Sequence, residues 1–210
     1  MGLYRCSAAD TLGPRGKDRL GSVVHRWFND PGRPSRRWRR EKRDPNEPSD
    51  HALGRSRGGF STKLHLLTDG NGIPLVAVLT PGQRHESTQF ENVMNAIRIP
   101  QPRGRPRTRP NGLAGDKAYS VRWIREWLRQ HSIKAVIPQR SDQVERHVGR
   151  PLEFDREAYR RRNVIERCIG WLKECRRIAT RYEKLAVNFL AMIKVAMADR
   201  MLRILFSDRA

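Results

Sequence analysis

Two extended apolar runs on either side of a glycine-rich four-residue turn constrain this chain more than any other feature. Residues 61–69 alternate, with Leu64 and Leu66 on one face and Lys63 and His65 on the other, and residues 73–80 are almost wholly apolar. Between them Asp69-Gly70-Asn71-Gly72 supplies the glycines of a tight hairpin, whose favoured turns need positive φ. A hairpin of this kind must bury a face, so the rest of the chain is read for what it packs against a sheet.

Upstream, residues 20–25 form a candidate first strand. Downstream, Thr88 with Glu91 reads as a capping box opening a helix whose stripe is Phe90, Val93, Met94 and Ile97, ending near Pro100. Residues 98–110, rich in Pro and Arg, read as a surface loop, and residues 113–116 as a short strand. A helix over 120–131 follows, with Trp123, Ile124, Trp127 and Leu128 on its apolar side. Residues 133–138 form another strand and residues 139–151 a polar, basic loop. Two long helices, 154–178 and 185–206, complete the chain. The order predicts an α/β fold, a mixed sheet covered by helices, with residues 1–49 as an irregular basic arm and residues 50–206 as one domain.

Charge indicates the partner. The chain has 43 Lys and Arg against 22 Asp and Glu, a net +21, far beyond what solubility asks, and this predicts a polyanion, with nucleic acid first. No stretch approaches the roughly 18 to 20 uninterrupted apolar residues of a membrane span, and residues 1–17 lack the basic-then-apolar layout of a secretory signal. A cytoplasmic, nucleoid-associated protein is therefore expected. Cys6, Cys168 and Cys175 are too scattered for a disulfide framework or a zinc site, and Cys168 and Cys175 read as packing residues. The arm's densest charge runs from Arg33 through Arg36, Arg37, Arg39, Arg40, Lys42 and Arg43 around Trp38. It suits a phosphate backbone with a stacking indole, or equally a solvated tail. Arginine's excess over lysine suits phosphate contacts but fits a compositional bias as well.

Two acidic positions carry the chemistry. On the helix beginning near Phe154, Tyr159, Arg162, Glu166 and Lys173 fall within an arc of roughly 60° at about 100° per residue. One face thus offers a carboxylate beside a phenol, a guanidinium and an ammonium, the groups that grip a metal ion and a phosphodiester. Val164, Cys168, Trp171 and Cys175 lie opposite, as an anchoring surface. Asp116 ends the strand Leu113-Ala114-Gly115, where a carboxylate is well placed for metal. Both patterns have plainer readings, ion pairing at helical spacing for the first and an N-cap for Asp116.

These motifs together resemble the DDE transposases of bacterial insertion sequences, in the insertion-sequence-four/five-like group. The stretch Tyr159-Arg160-Arg161-Arg162-Asn163-Val164-Ile165-Glu166 with Lys173 matches that family's spaced Tyr, Arg, Glu and Lys signature, and Asp116-Lys117-Ala118-Tyr119 its second acidic motif. Gly54-Arg55-Ser56-Arg57-Gly58-Gly59, Thr62-Lys63-Leu64-His65, Thr80-Pro81-Gly82-Gln83-Arg84-His85 and Arg177-Ile178-Ala179-Thr180-Arg181-Tyr182 are similar to its other segments. The resemblance covers residues 51–206.

It implies a ribonuclease-H-like sheet whose three acids hold two magnesium or manganese ions for DNA strand cleavage and transfer. Asp116 and Glu166 would be the second and third acids. Tyr159, Arg162 and Lys173, with Lys117 and Tyr119, would face transposon-end DNA, and a homo-oligomer is expected in the complex with end and target DNA.

One part of the pattern departs. Gly21-Ser22-Val23-Val24 aligns with the stretch after the family's first acid, and Leu20 stands in the acid's place. Asp18, two residues earlier, is about 6.6 Å away along a strand, against a magnesium–oxygen bond of roughly 2.1 Å. The chain thus resembles a copy shortened or disturbed at its N-terminus. The competing expectations are an active transposase and an inactive remnant that binds DNA or pairs with intact transposase. A ribosomal-type basic protein and a cellular nuclease on the same fold fit the ordered motifs less well.

Overall fold

The computed structural model describes residues 20–29, 51–56, 59–145, 149 and 152–206. The basic run from Arg33 to Arg43 with Trp38, and Asp18, lie outside these. The sheet is organised on β3 (Gly59–Thr68) and β1 (Leu20–Asn29), which pair antiparallel from Ser22 opposite Thr68 to Asn29 opposite Ser61. On its other edge β3 takes β2 (Gly54–Ser56) and then β4 (Pro74–Pro81), both antiparallel. Beyond β1 the sheet turns parallel, through β5 (Gly112–Gly115) and β6 (Lys134–Val136). A parallel neighbour requires a crossover, and α2 (Arg122–Gln130) supplies the one between β5 and β6.

The hairpin forms where the turn residues predict it. Asp69 Oδ1 accepts from the backbone N–H groups of Asn71 (2.9 Å) and Ile73 (2.8 Å), and Gly72 takes a positive φ of 84°. Strand alternation then divides the core. Leu67, Val76 and Leu113 pack with Phe90, Val93 and Met94 of α1 (Phe90–Asn95), with Ile97, and with Ile124 and Leu128 of α2. On the other face Leu64 and Leu66 pack with Ile165, Cys168, Ile169 and Leu172 of α5 (Asn163–Glu174) and with Phe189 and Ile193 of α7 (Ala186–Phe206). Leu66 and Leu67, adjacent in sequence, thus belong to opposite cores, and the result is a sheet between two helical layers.

Several local expectations need correction. Thr88 and Glu91 form no capping box. A 3₁₀ turn over Glu86–Gln89 precedes α1, and the ring Nδ1 of His85 accepts from the Ser87 N–H at 3.4 Å, while Thr88 only donates its hydroxyl to the His85 carbonyl. The basic loop after β6 contains a short helix, α3 (Ser141–Glu145). The helix expected over 154–178 is three pieces, α4 (Arg156–Arg160), α5 and α6 (Arg176–Ala179). Asp155 caps α4, its carboxylate accepting from Ala158 N–H at 2.9 Å.

At Arg161 and Arg162 the bonds tighten to three-residue spacing, Arg162 N–H to Tyr159 O and Ile165 N–H to Arg162 O. Cys175 is extended, at φ −72° and ψ 100°, and ends α5. The anchoring side of α5 is Ile165, Cys168, Ile169 and Leu172; Val164 and Cys175 lie at its margin, half-buried. Cys168 is a packing residue, as expected. No helix among the described residues is long and apolar enough to cross a membrane.

Candidate functional site

Asp116 follows β5 directly. Its backbone is extended, at φ −80° and ψ 179°, and it caps the 3₁₀ turn Lys117–Tyr119, with Oδ1 accepting from the Ala118 N–H at 2.9 Å. The N-cap reading is therefore correct for Oδ1 of Asp116. The side chain is half-buried, at the carboxyl end of β5.

A chain of contacts runs from this strand end to Glu166. Ala114, two residues before Asp116 and by alternation on the same side of the sheet, packs with Val136 and Ala158, and Tyr159 lies against that cluster. The Arg162 guanidinium sits over the Tyr159 ring, 5.4 Å from its centroid, and its Nη1 donates to Glu166 Oε1 at 3.3 Å. Arg162 and Glu166 are 19 % and 29 % exposed, so the pair faces solvent at a rim.

The tightened turn at Arg161 and Arg162 thus preserves the face expected of a continuous helix. Tyr159, Arg162 and Glu166 are brought together, while exposed Lys173 lies about 10 Å further along α5.

Lys117 is exposed beside Asp116. Tyr119 is not: at 1 % exposure its ring belongs to the core with Phe90, 6.4 Å between centroids, and it does not face DNA. Burial first, then the charges of Asp116 and Glu86, push its hydroxyl far above the usual phenol range. The sequence along 112–119 held no signal for this, because Tyr119 sits in a 3₁₀ turn after β5 and not in a strand.

Other residues supporting the site lay outside the two acidic motifs. Arg140 Nε donates to the Lys117 carbonyl at 3.1 Å, and Gln143 Nε2 to the Ser120 carbonyl at 2.9 Å, so α3 buttresses the Asp116 turn. Lys63, 2 % exposed, donates to Glu86 Oε1 at 2.6 Å and to the Arg84 carbonyl at 2.7 Å, tying β3 to the segment beside Tyr119. His65 bonds Thr80 at 2.8 Å inside the sheet, and with the capping His85 it is structural.

The parallel register fixes where β1 stands relative to Asp116. Leu20 pairs with Gly112 and Val23 with Gly115, so Leu20 is at the far end of the pair, about 13 Å along the strand from the level of Asp116. None of the ten β1 residues, LGSVVHRWFN, is Asp or Glu. Among the described residues no three or more His, Cys, Asp or Glu side chains group as a metal site.

Residues 33–198 match the family described as the transposase DDE domain. A candidate transposase for insertion sequence element IS402 from Burkholderia cepacia is 35 % identical over 196 residues, which span 93 % of this chain and 83 % of that protein. A candidate transposase for insertion sequence element IS6501 from Brucella ovis (strain ATCC 25840 / 63/290 / NCTC 10512) is 27 % identical over 144 residues, 69 % of this chain and 100 % of that protein.

Proposed function

The chain belongs to the transposase DDE-domain family, and on that premise we propose that it binds the DNA ends of an insertion sequence through the face of Tyr159, Arg162, Lys173 and Lys117. The observation that carries this reading is the contact chain from the β5 end through Tyr159 and Arg162 to Glu166. It presents a fork-shaped guanidinium and a phenol beside an acid, at a half-exposed rim of a chain with net charge +21. Antiparallel strands on one side of β1 and parallel strands on the other support a ribonuclease-H-like sheet. A second copy of the chain in the DNA complex and a nucleoid location belong to the same reading.

For strand cleavage and transfer, this reading assigns Asp116 and Glu166 to hold Mg2+ or Mn2+, which when bound would activate the attacking oxygen and stabilise the leaving one. Two carboxylates do not make the family's set of three. Because β1 carries no acid at any position, the second reading, a DNA-binding protein that does not cut, is the one this observation favours. Asp18 lies outside the described residues and is the nearest acid before the strand.

The test is cleavage of a labelled end duplex in Mg2+ or Mn2+ at fixed salt, with Asp116→Ala and Glu166→Ala alongside. Cleavage abolished in both variants establishes the active enzyme and makes Asp18→Ala the next substitution. Binding without cleavage in all three establishes the binding-only protein, and absence of binding sinks the proposal.

A further inference from the structure

Away from Asp116, the end of α1, the loop 98–110 and the second half of α2 line an open pocket of about 290 Å³. Ligand cavities run from about 300 to 1,000 Å³, so this one suits a single small ligand and not a length of duplex. Its walls include Asn95, Arg98, Thr108, Arg109, Trp127 and His131, and among the described residues no Asp or Glu lines it.

Trp127 and His131, one turn apart on α2, stack at 3.8 Å and 18°. His131 Nδ1 donates to the Trp127 carbonyl at 2.8 Å, which fixes the ring in that stack and makes Nε2 its other polar atom. Arg98 Nη1 is held by the carbonyls of Asn95 (2.8 Å) and Ile97 (2.6 Å), which pins that guanidinium at the cavity. The loop bearing Arg109 is closed at its base by paired backbone bonds between Ile99 and Arg107, at 2.9 and 2.8 Å.

Two guanidiniums without a carboxylate call for an anion, a stacked aromatic pair calls for a planar π system, and Asn95 and Thr108 add hydrogen-bonding groups. A nucleotide combines all three demands. We propose that this cavity takes one nucleotide of a single-stranded DNA segment, its base against the Trp127–His131 stack and its phosphate between Arg98 and Arg109. β5 separates the cavity from Asp116, since Arg109 precedes Gly112 and Asp116 follows Gly115; roughly 13 Å of strand lie between. The site is thus distinct from the duplex-binding face, and rests on the proposed function only in taking DNA as partner.

The test follows the histidine ring signals of the full chain by nuclear magnetic resonance, His131 being assigned with His131→Gln. Deoxyadenosine 5′-monophosphate, a short single-stranded oligodeoxyadenylate, deoxyadenosine and inorganic phosphate are titrated separately. The nucleotide and the strand should both shift the His131 signals saturably, at concentrations about tenfold below those needed by nucleoside or phosphate. Arg98→Ala and Arg109→Ala, both at exposed positions, should each weaken the response about tenfold while leaving the fold intact.

Phosphate acting as well as the nucleotide would overturn the proposal in favour of an anion site. Response to the mononucleotide but not to the strand would overturn the DNA assignment, and an unmoved His131 would overturn the site altogether. Retardation of an end duplex by the same preparation reports separately on the proposed function. Duplex bound with His131 unmoved sinks the cavity alone, and His131 moved without duplex binding sinks the duplex face alone.

Discussion

Arg181 is 3 % exposed, yet its guanidinium has acceptors on every side. It donates to the carbonyls of His51 (2.7 Å), Glu183 (2.9 Å) and Lys184 (2.9 Å) and to the Thr62 hydroxyl, and its plane lies 5.1 Å from the Phe189 ring centroid. Removing a buried guanidinium so held leaves four acceptors without its hydrogen bonds. Arg181→Ala should destabilise the chain by about 3 kcal/mol or more in urea denaturation, and Arg181→Lys should recover only part, since an ammonium cannot reproduce the fork. Cys168 is a second buried group with a measurable signature. Burial pushes its thiol up to about 11 from 9.0, with Asp69 adding to the shift and Arg200 opposing it. The unfolded thiol ionises first, so it loses its proton while the folded one keeps it. Stability should therefore be unaffected below about pH 9 and fall between pH 9 and 11, by at most about 1.4 kcal/mol per pH unit. Cys168→Ala should flatten that part of the stability profile.

Helix α2 ends with Ser132 in the left-handed region, φ 56°, with its N–H bonded to the Arg129 carbonyl and the Ile133 N–H bonded to the Leu128 carbonyl. Glycine is the residue this C-terminal cap favours, so Ser132→Gly should stabilise by roughly 0.5–1 kcal/mol and raise the melting temperature by about 1–4 °C. The sequence made legible those elements whose periodicity and turn chemistry agree. The β3–β4 hairpin, the stripe Phe90, Val93, Met94 and Ile97, and the crossover helix with Ile124 and Leu128 are buried as their spacing requires. It concealed the breaks at Arg161 and Cys175, because neither carries Gly or Pro. At the site, Arg162 and Glu166 announced themselves by four-residue spacing, and Asp116 by its place after an apolar run. Arg140 reaches Lys117 across 23 positions and Lys63 reaches Glu86 across the same separation, and spacing along the chain cannot report contacts of that kind.

For the whole molecule, the charge of +21 makes DNA affinity a function of ionic strength. If the duplex face engages six to ten phosphates, the slope of log affinity against log salt should be on the order of −5 to −9, and Lys173→Ala should make it shallower by about 1. A slope near zero would contradict binding through the basic face. The second core also has an order in time. Leu64 and Leu66 are made early, but the helical layer that covers them ends with Phe189 and Ile193. At about 5–20 residues per second, a ribosome needs roughly 6–25 s to bridge the ~130 positions between them. Until Ile165 to Leu172 of α5 are made, roughly 100 positions after Leu66, that side of the newborn hairpin has no cover of its own, and a chaperone holding nascent chains becomes the natural guardian of the unfinished protein.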